Sequence, residues 1–208
     1  KKWGTLHNSL KKINTAIFFS GRGSNMESLI KASKNKNFPA SIPVVLTDNV
    51  SAPGIQLAKN YYVPVRIFDK KKFNRSEFEI NSQKILLDYK IEMICLAGFM
   101  QILSKKFVYL WRNRIINIHP SYLPKNKGLN PQKQVINEKA SYTGCTVHFV
   151  NEKIDDGKII LQEKVEVMHN DSVQTLSDRI LKKEHVIYPK ALEKIASEIL
   201  KKKFMKLK

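Results

Sequence analysis

The sequence predicts an α/β fold: a mostly parallel, twisted sheet wrapped by helices, with an antiparallel edge and a long C-terminal helix. Three observations predict it. Apolar runs of strand length alternate with stretches of helical spacing from Thr15 to Ile118, the pattern of strands joined by crossover helices. The run Ile91 to Leu96 is continuously apolar, as expected of a strand covered on both faces. Two strand-like runs, Cys145 to Val150 and Lys158 to Val167, then follow with only a polar segment between them, which points to an antiparallel pair or a long loop.

The elements follow in order. Thr15 to Phe19 is a short aromatic-rich strand that runs into the glycine turn Gly21-Arg22-Gly23. A helix is expected from Asn25 to about Lys36, with Met26, Leu29 and Ile30 on one stripe and a Ser24/Glu27 capping box at its start. Ile42 to Leu46 is the second strand. Ala52 begins a helix to about Asn60, and Pro64 to Phe68 is the third strand. Ser76 to Tyr89 is helical, Ser104 to Trp111 is a short helix, and Ile115 to Ile118 is a buried strand. Asp171 begins the last helix, expected to reach about Leu200 with a break at Pro189. The expected organisation is a poorly ordered extension over residues 1–12, a single domain over 13–200 and a frayed basic tail over 201–208.

Composition narrows the function classes. Hydrophobic residues make up 42% of the 208, too many for a disordered chain. No apolar run has the length of a membrane span, and Ala16 to Phe19 is too short for a signal-peptide core. Cys95 and Cys145 sit in apolar strands without metal-ligand spacing, so they read as buried, reduced thiols of a cytoplasmic protein with no metal site. The net charge of +19 raises the question of nucleic acid. Only six of the 37 basic residues are Arg, and the lysines are spread along the whole chain. Bidentate nucleic-acid contacts favour Arg, so the charge is read as a compositional bias that would still attract phosphorylated or polyanionic small molecules.

Three segments could do chemistry. A glycine turn between strand and helix lets backbone N–H groups meet a phosphate at the positive end of the helix dipole. Met26 stands at the third glycine position of a dinucleotide fingerprint, so a single phosphate fits better than a nicotinamide dinucleotide. Asn117-Ile118-His119-Pro120 ends a strand. Alternation sends Asn117 and His119 to one face, at the strand end where open α/β sheets bind ligands. An amide can stabilise an oxyanion, and an imidazole can move a proton. The third segment is Asp155 in Ile-Asp-Asp-Gly157. A carboxylate beside an imidazole helps it carry a proton, but spacing alone does not pair Asp155 with His119. His148, in a strand, reads as a supporting residue.

Together these segments resemble the phosphoribosylglycinamide formyltransferase family of purine biosynthesis. The resemblance covers about Ile13 to Ala196 and rests on five motifs in order: SGRGSN from Ser20, LAGFMQIL from Leu96, INIHPSYLP from Ile116, GCTVHFVNEKIDDG from Gly144 and EHVIYP from Glu184. It implies a Rossmann-like, three-layer formyltransferase fold and transfer of formyl from 10-formyltetrahydrofolate to the amine of 5-phosphoribosylglycinamide. It implies Asn117, His119 and Asp155 as catalytic residues. Gly23, Ser24, Asn25 and Glu184 would hold the acceptor. Met100, Gln101, Ile102, Leu103, Asn117, Asn151, Glu152, Lys153, Ile154 and Asp155 would bind the folate, with Arg75 where the family has a folate-contacting Arg. No metal is implied. The partners are small molecules, neither membrane nor nucleic acid, and the chain acts as a monomer or homodimer.

Two departures stand out. Gln101 replaces the family's usual Arg, and the segment after Pro124, KNKGLNPQKQ, lacks the Thr-His that commonly follows its Gly-Leu. Methionyl-tRNA formyltransferase is the alternative with the same chemistry, but its catalytic strand lacks the His-Pro-Ser continuation found here. A non-catalytic nucleic-acid-binding protein is the alternative from another class.

Overall fold

The computed structural model describes residues 12–206; the expected extension falls outside them except for Lys12. A seven-stranded sheet runs through the molecule in the order β3-β2-β1-β4-β5-β6-β7. Strands β1 (Ile13–Phe19), β2 (Ala40–Thr47), β3 (Val65–Ile67), β4 (Met93–Leu96) and β5 (Ile115–His119) are parallel. Strands β6 (Tyr142–Phe149) and β7 (Ile159–Glu166) add an antiparallel edge. The order reverses at β1, whose neighbours are β2 and β4. A crevice forms at such a switch point beyond the carboxyl ends of the strands.

Helices cover both faces, giving the predicted three layers. Alternation along β1 divides its side chains between two cores. Ile17 and Phe19 join the core under α1 (Ser24–Ser33), α2 (Gly54–Asn60), α5 (Pro131–Asn137) and α6 (Val173–Met205). Ala16 and Phe18 join the core under α3 (Arg75–Asp88) and α4 (Lys105–Leu110). Phe18 meets Phe78 of α3 edge-on at 5.7 Å, a favoured aromatic geometry. Burying each such side chain contributes about 1.5–3 kcal/mol. The Tyr188 hydroxyl on α6 bridges the Leu96 carbonyl at 2.8 Å and the Ile116 carbonyl at 3.2 Å, so the long helix is fastened to the ends of β4 and β5.

Three local expectations are corrected, and one element is added. The Ser24/Glu27 capping box is absent: Gly23 is the N-cap, with φ 79°. The Glu27 carboxylate turns instead to the Tyr61 hydroxyl and Lys31. The segment after Pro124, for which the sequence analysis gives no element, leads into α5, whose first residues it contains. Pro131 occupies its first turn, where a missing N–H costs nothing. Pro189 does not break α6, because Ile187, Tyr188, Ala191 and Leu192 are buried on both sides of it. Tertiary packing there outweighs the hydrogen bond that the proline cannot donate. Lys201 to Lys203 are helical rather than frayed. They complement the negative end of the helix dipole, and Lys203 pairs with Glu92. Both cysteines are free and buried, and burial pushes their thiols up to about 12.

Candidate active site

The carboxyl end of β5 forms the floor of a cleft of about 630 Å³. Ile116 and Ile118 point into the α6-side core, so alternation sends Asn117 and His119 to the opposite face. In the antiparallel register Asn117 stands opposite His148 and His119 opposite Thr146. Strand β6 therefore delivers a second imidazole to the same face. The Asn117 amide Nδ2 lies 3.3 Å from His148 Nε2. His148 Nδ1–H donates to its neighbour, the Phe149 carbonyl, at 2.9 Å. That bond places a proton on Nδ1, and Nε2 faces both the Asn117 amide and the Asp155 carboxylate.

Asp155 reaches this floor from the β6–β7 connection. Its Oδ2 lies 3.3 Å from His119 Nδ1, and its Oδ1 lies 3.6 Å from His148 Nε2. Two backbone features place it there. Asp155 itself adopts φ 48°, which Asp tolerates better than most residues. Gly157 then lets the chain fold back onto β6, because a Cβ at that position would sit 1.6 Å from the Phe149 carbonyl oxygen. The Gly128 N–H, from the segment before α5, donates to Asp155 Oδ2 at 2.9 Å. Lys127 pairs with Asp156 alongside.

Electrostatics follow from this packing. Burial pushes the Asp155 carboxyl up, but His148, the Gly128 N–H and His119 together hold it below its ordinary value. Burial draws the His119 imidazole down, opposed by the Asn126 carbonyl and then by Asp155. His119 Nε2 lies 2.9 Å from that Asn126 carbonyl. Both ring nitrogens of His119 thus face acceptors, a setting that can host the imidazolium when a proton arrives.

The cleft is lined by Met100 to Leu103, Asn117, His119 and Asn151 to Asp155. Phe99, Gly128 to Gln132, His148 and Val150, which the sequence reading does not assign as folate contacts, also line it. The strand alternation that joins Asn117 to His119 also carries a signal for His148, because Cys145 and Val147 mark the α6-side face of β6. Nothing in the spacing indicates the Gly128 segment. A cleft of this volume, with apolar side chains beside the polar groups of Gln101, Asn117, His119, His148 and Asp155, suits a small organic ligand. The remaining residues lie outside this lining. Gly23, Ser24 and Asn25 form the start of α1, where Asn25 Nδ2–H donates to Glu184 Oε2 at 2.7 Å. Glu184 is buried on α6, and burial raises its carboxyl despite that bond. Arg75 opens α3 and is exposed.

Comparison with known proteins gives the family of the chain. Residues 13–192 match the formyl transferase family. The human trifunctional purine biosynthetic protein adenosine-3 is 43% identical over 90% of this chain, which spans only 19% of that protein. The chain likewise spans at most a fifth of the other trifunctional relatives (20% in the bovine protein). Phosphoribosylglycinamide formyltransferase of Haemophilus influenzae is 38% identical, over 86% of this chain and 84% of its own length. The crystal structure of phosphoribosylglycinamide formyltransferase from Brucella melitensis superposes with a TM-score of 0.85 at 40% identity, covering 89% of this chain and 96% of that one. The chain belongs to the formyl transferase family.

Proposed function

We propose that this chain transfers the formyl group of 10-formyltetrahydrofolate to the amine of 5-phosphoribosylglycinamide, giving the N-formyl product and tetrahydrofolate in de novo purine biosynthesis. The convergence of Asn117, His119 and Asp155 on one cleft floor carries the reading. The folate lies in the cleft against Met100 to Leu103 and Asn151 to Asp155, with Arg75 toward its outer end. The acceptor's phosphate meets the Gly23–Asn25 turn, and Glu184 contacts its sugar side.

The acceptor amine attacks the formyl carbon, and the carbonyl oxygen becomes an oxyanion. Donors already fixed in a water-poor site stabilise it without reorganisation. Asn117 supplies an amide N–H, since its Nδ2 carries two hydrogens and the contact with His148 can use only one of them. His119 supplies the second stabilising group. The free protein disfavours its charged form through burial, and the growing negative charge reverses that balance. Because its Nε2 is engaged by the Asn126 carbonyl, donation to the oxyanion requires that carbonyl to yield or to share the proton. Asp155 holds Nδ1 and offsets the positive charge. The proton lost by the amine then passes to the folate nitrogen as the carbon–nitrogen bond breaks, so no net proton is consumed. Most of the rate enhancement comes from positioning and electrostatics.

The test is a formyl-transfer assay with purified protein and both substrates, following the folate product by absorbance. Turnover that depends on both substrates is expected. Folate-independent behaviour, or transfer to a tRNA amine instead, would contradict the reading.

A further inference from the structure

A second polar cluster sits at the carboxyl ends of β1, β2 and β4, beside the catalytic floor. Its centre is Asp48, which directly follows β2 and is fully buried. Neutral donors meet both carboxylate oxygens. Ser20 Oγ–H donates to Oδ1 at 2.6 Å, and Gln101 Nε2–H donates to Oδ2 at 3.0 Å. The Ser20 hydroxyl in turn accepts from the Met100 N–H at 3.0 Å. Ser20 is stitched further through its backbone. Its N–H donates to the Gly98 carbonyl at 3.1 Å, and its carbonyl accepts from Asn49 Nδ2 at 2.9 Å.

The chemistry of this cluster is unusual for a packed interior. A buried carboxylate is tolerated only when its lone pairs are met, and here the two donors come from different functional segments. Ser20 is the residue before the Gly21–Asn25 turn. Met100 and Gln101 line the cleft. The Gln101 side chain is thus drawn to the floor between the two segments. A shift of the turn moves Ser20, and through Ser20 the Met100 backbone.

We propose that Asp48 is a positioning residue that joins the acceptor turn to the donor-binding segment, so that each substrate favours the binding of the other. The proposal rests on the functional reading above. Such coupling is reciprocal, and a factor of roughly 5–150 is typical when one element links two sites.

Calorimetry with a non-reacting pair tests it. Tetrahydrofolate is titrated into the protein with and without 5-phosphoribosylglycinamide. The wild type should bind tetrahydrofolate roughly tenfold more tightly when the acceptor is present. Asp48→Ala and Ser20→Ala should reduce that ratio to about one and raise the donor KM more than they lower kcat. Asp48→Asn should restore the coupling, because its amide still accepts from Ser20 and can donate to a turned Gln101 carboxamide. Gln101→Ala, at a half-buried position, removes one link without emptying the core and should lose part of the ratio. A purely structural role would lower Tm and weaken each ligand alone, with the ratio unchanged in all variants. That result overturns the proposal, as does a wild-type ratio of one. A wild type that binds neither ligand overturns the functional reading and this proposal with it.

Discussion

The two halves of the proposed active site are built differently. Asn117 stands on a central strand with a paired neighbour on both sides, and His119 two residues on is paired with β6. Asp155 hangs from a connection whose position depends on a left-handed residue, a glycine that admits no side chain, and contacts with a second loop. The strand half is fixed by the sheet itself, while the loop half is fixed by a few local bonds. Chemistry that needs an imidazole and a carboxylate at 3.3 Å therefore depends on how well the weaker half is held.

Substitutions that separate the halves should rank accordingly. Replacing His119 with Ala, or Asp155 with Asn, is expected to lower kcat by about 10²–10⁴-fold while the far-ultraviolet circular dichroism is unchanged. Near-normal turnover in either variant would remove the assigned roles. Asn117→Ala should cost about 10²–10³-fold, the usual loss of one oxyanion donor, and the loss should fall on kcat rather than on donor KM. Gly157→Ala comes next. Its new Cβ must displace the Phe149 carbonyl, so the connection shifts and activity falls even though no functional group is removed. A crystal structure of that variant with Asp155 still beside His119 would show that the loop half is more robust than its bonds suggest.

Acidity should expose the same contrast in stability. His119 is held neutral by burial, with its folded value below its ordinary one. The unfolded chain therefore binds the extra proton first, and stability is lost as pH falls from about 6.5 toward the folded value. Asp155 is also depressed, so its contribution is present at higher pH and is lost later, as pH falls through its folded value. Both groups make acid destabilising, and His119 acts in the earlier window. Between pH 7 and 5.5 the Tm of the wild type should fall more than that of His119→Asn; equal slopes would contradict the assignment. The smallest effect is expected from Lys127→Ala. Its pair with Asp156 is near the surface, so the change in kcat should be slight and should disappear in high salt.

The strand half was also the half legible in the sequence. Period-two alternation alone puts Asn117 and His119 on one face, and the alternation of strands and helices indicates the sheet. Asp155 reached the trio only through resemblance to a family, because its place depends on φ 48° and on the close approach at Gly157, which no periodicity encodes. His148 could have been found from β6, had Cys145 and Val147 been used to set its faces. The Gly128 and Asn126 contacts belong to a segment where α5 was missed: only Pro131 and Val135 of its seven residues are buried, too little for a helical stripe to show. The capping box failed for a different reason. Its residues were present, but Glu27 had better partners in Tyr61 and Lys31.

The central claim is that the strand and loop halves act as one unit, with Asp155 working through His119. A double-mutant cycle on kcat measures this directly. Groups that act together lose their joint contribution when either is removed. The double variant His119→Ala/Asp155→Asn should therefore be about as slow as the slower single variant. Multiplied losses, with each substitution costing its full factor in the presence of the other, would show that the two residues act independently.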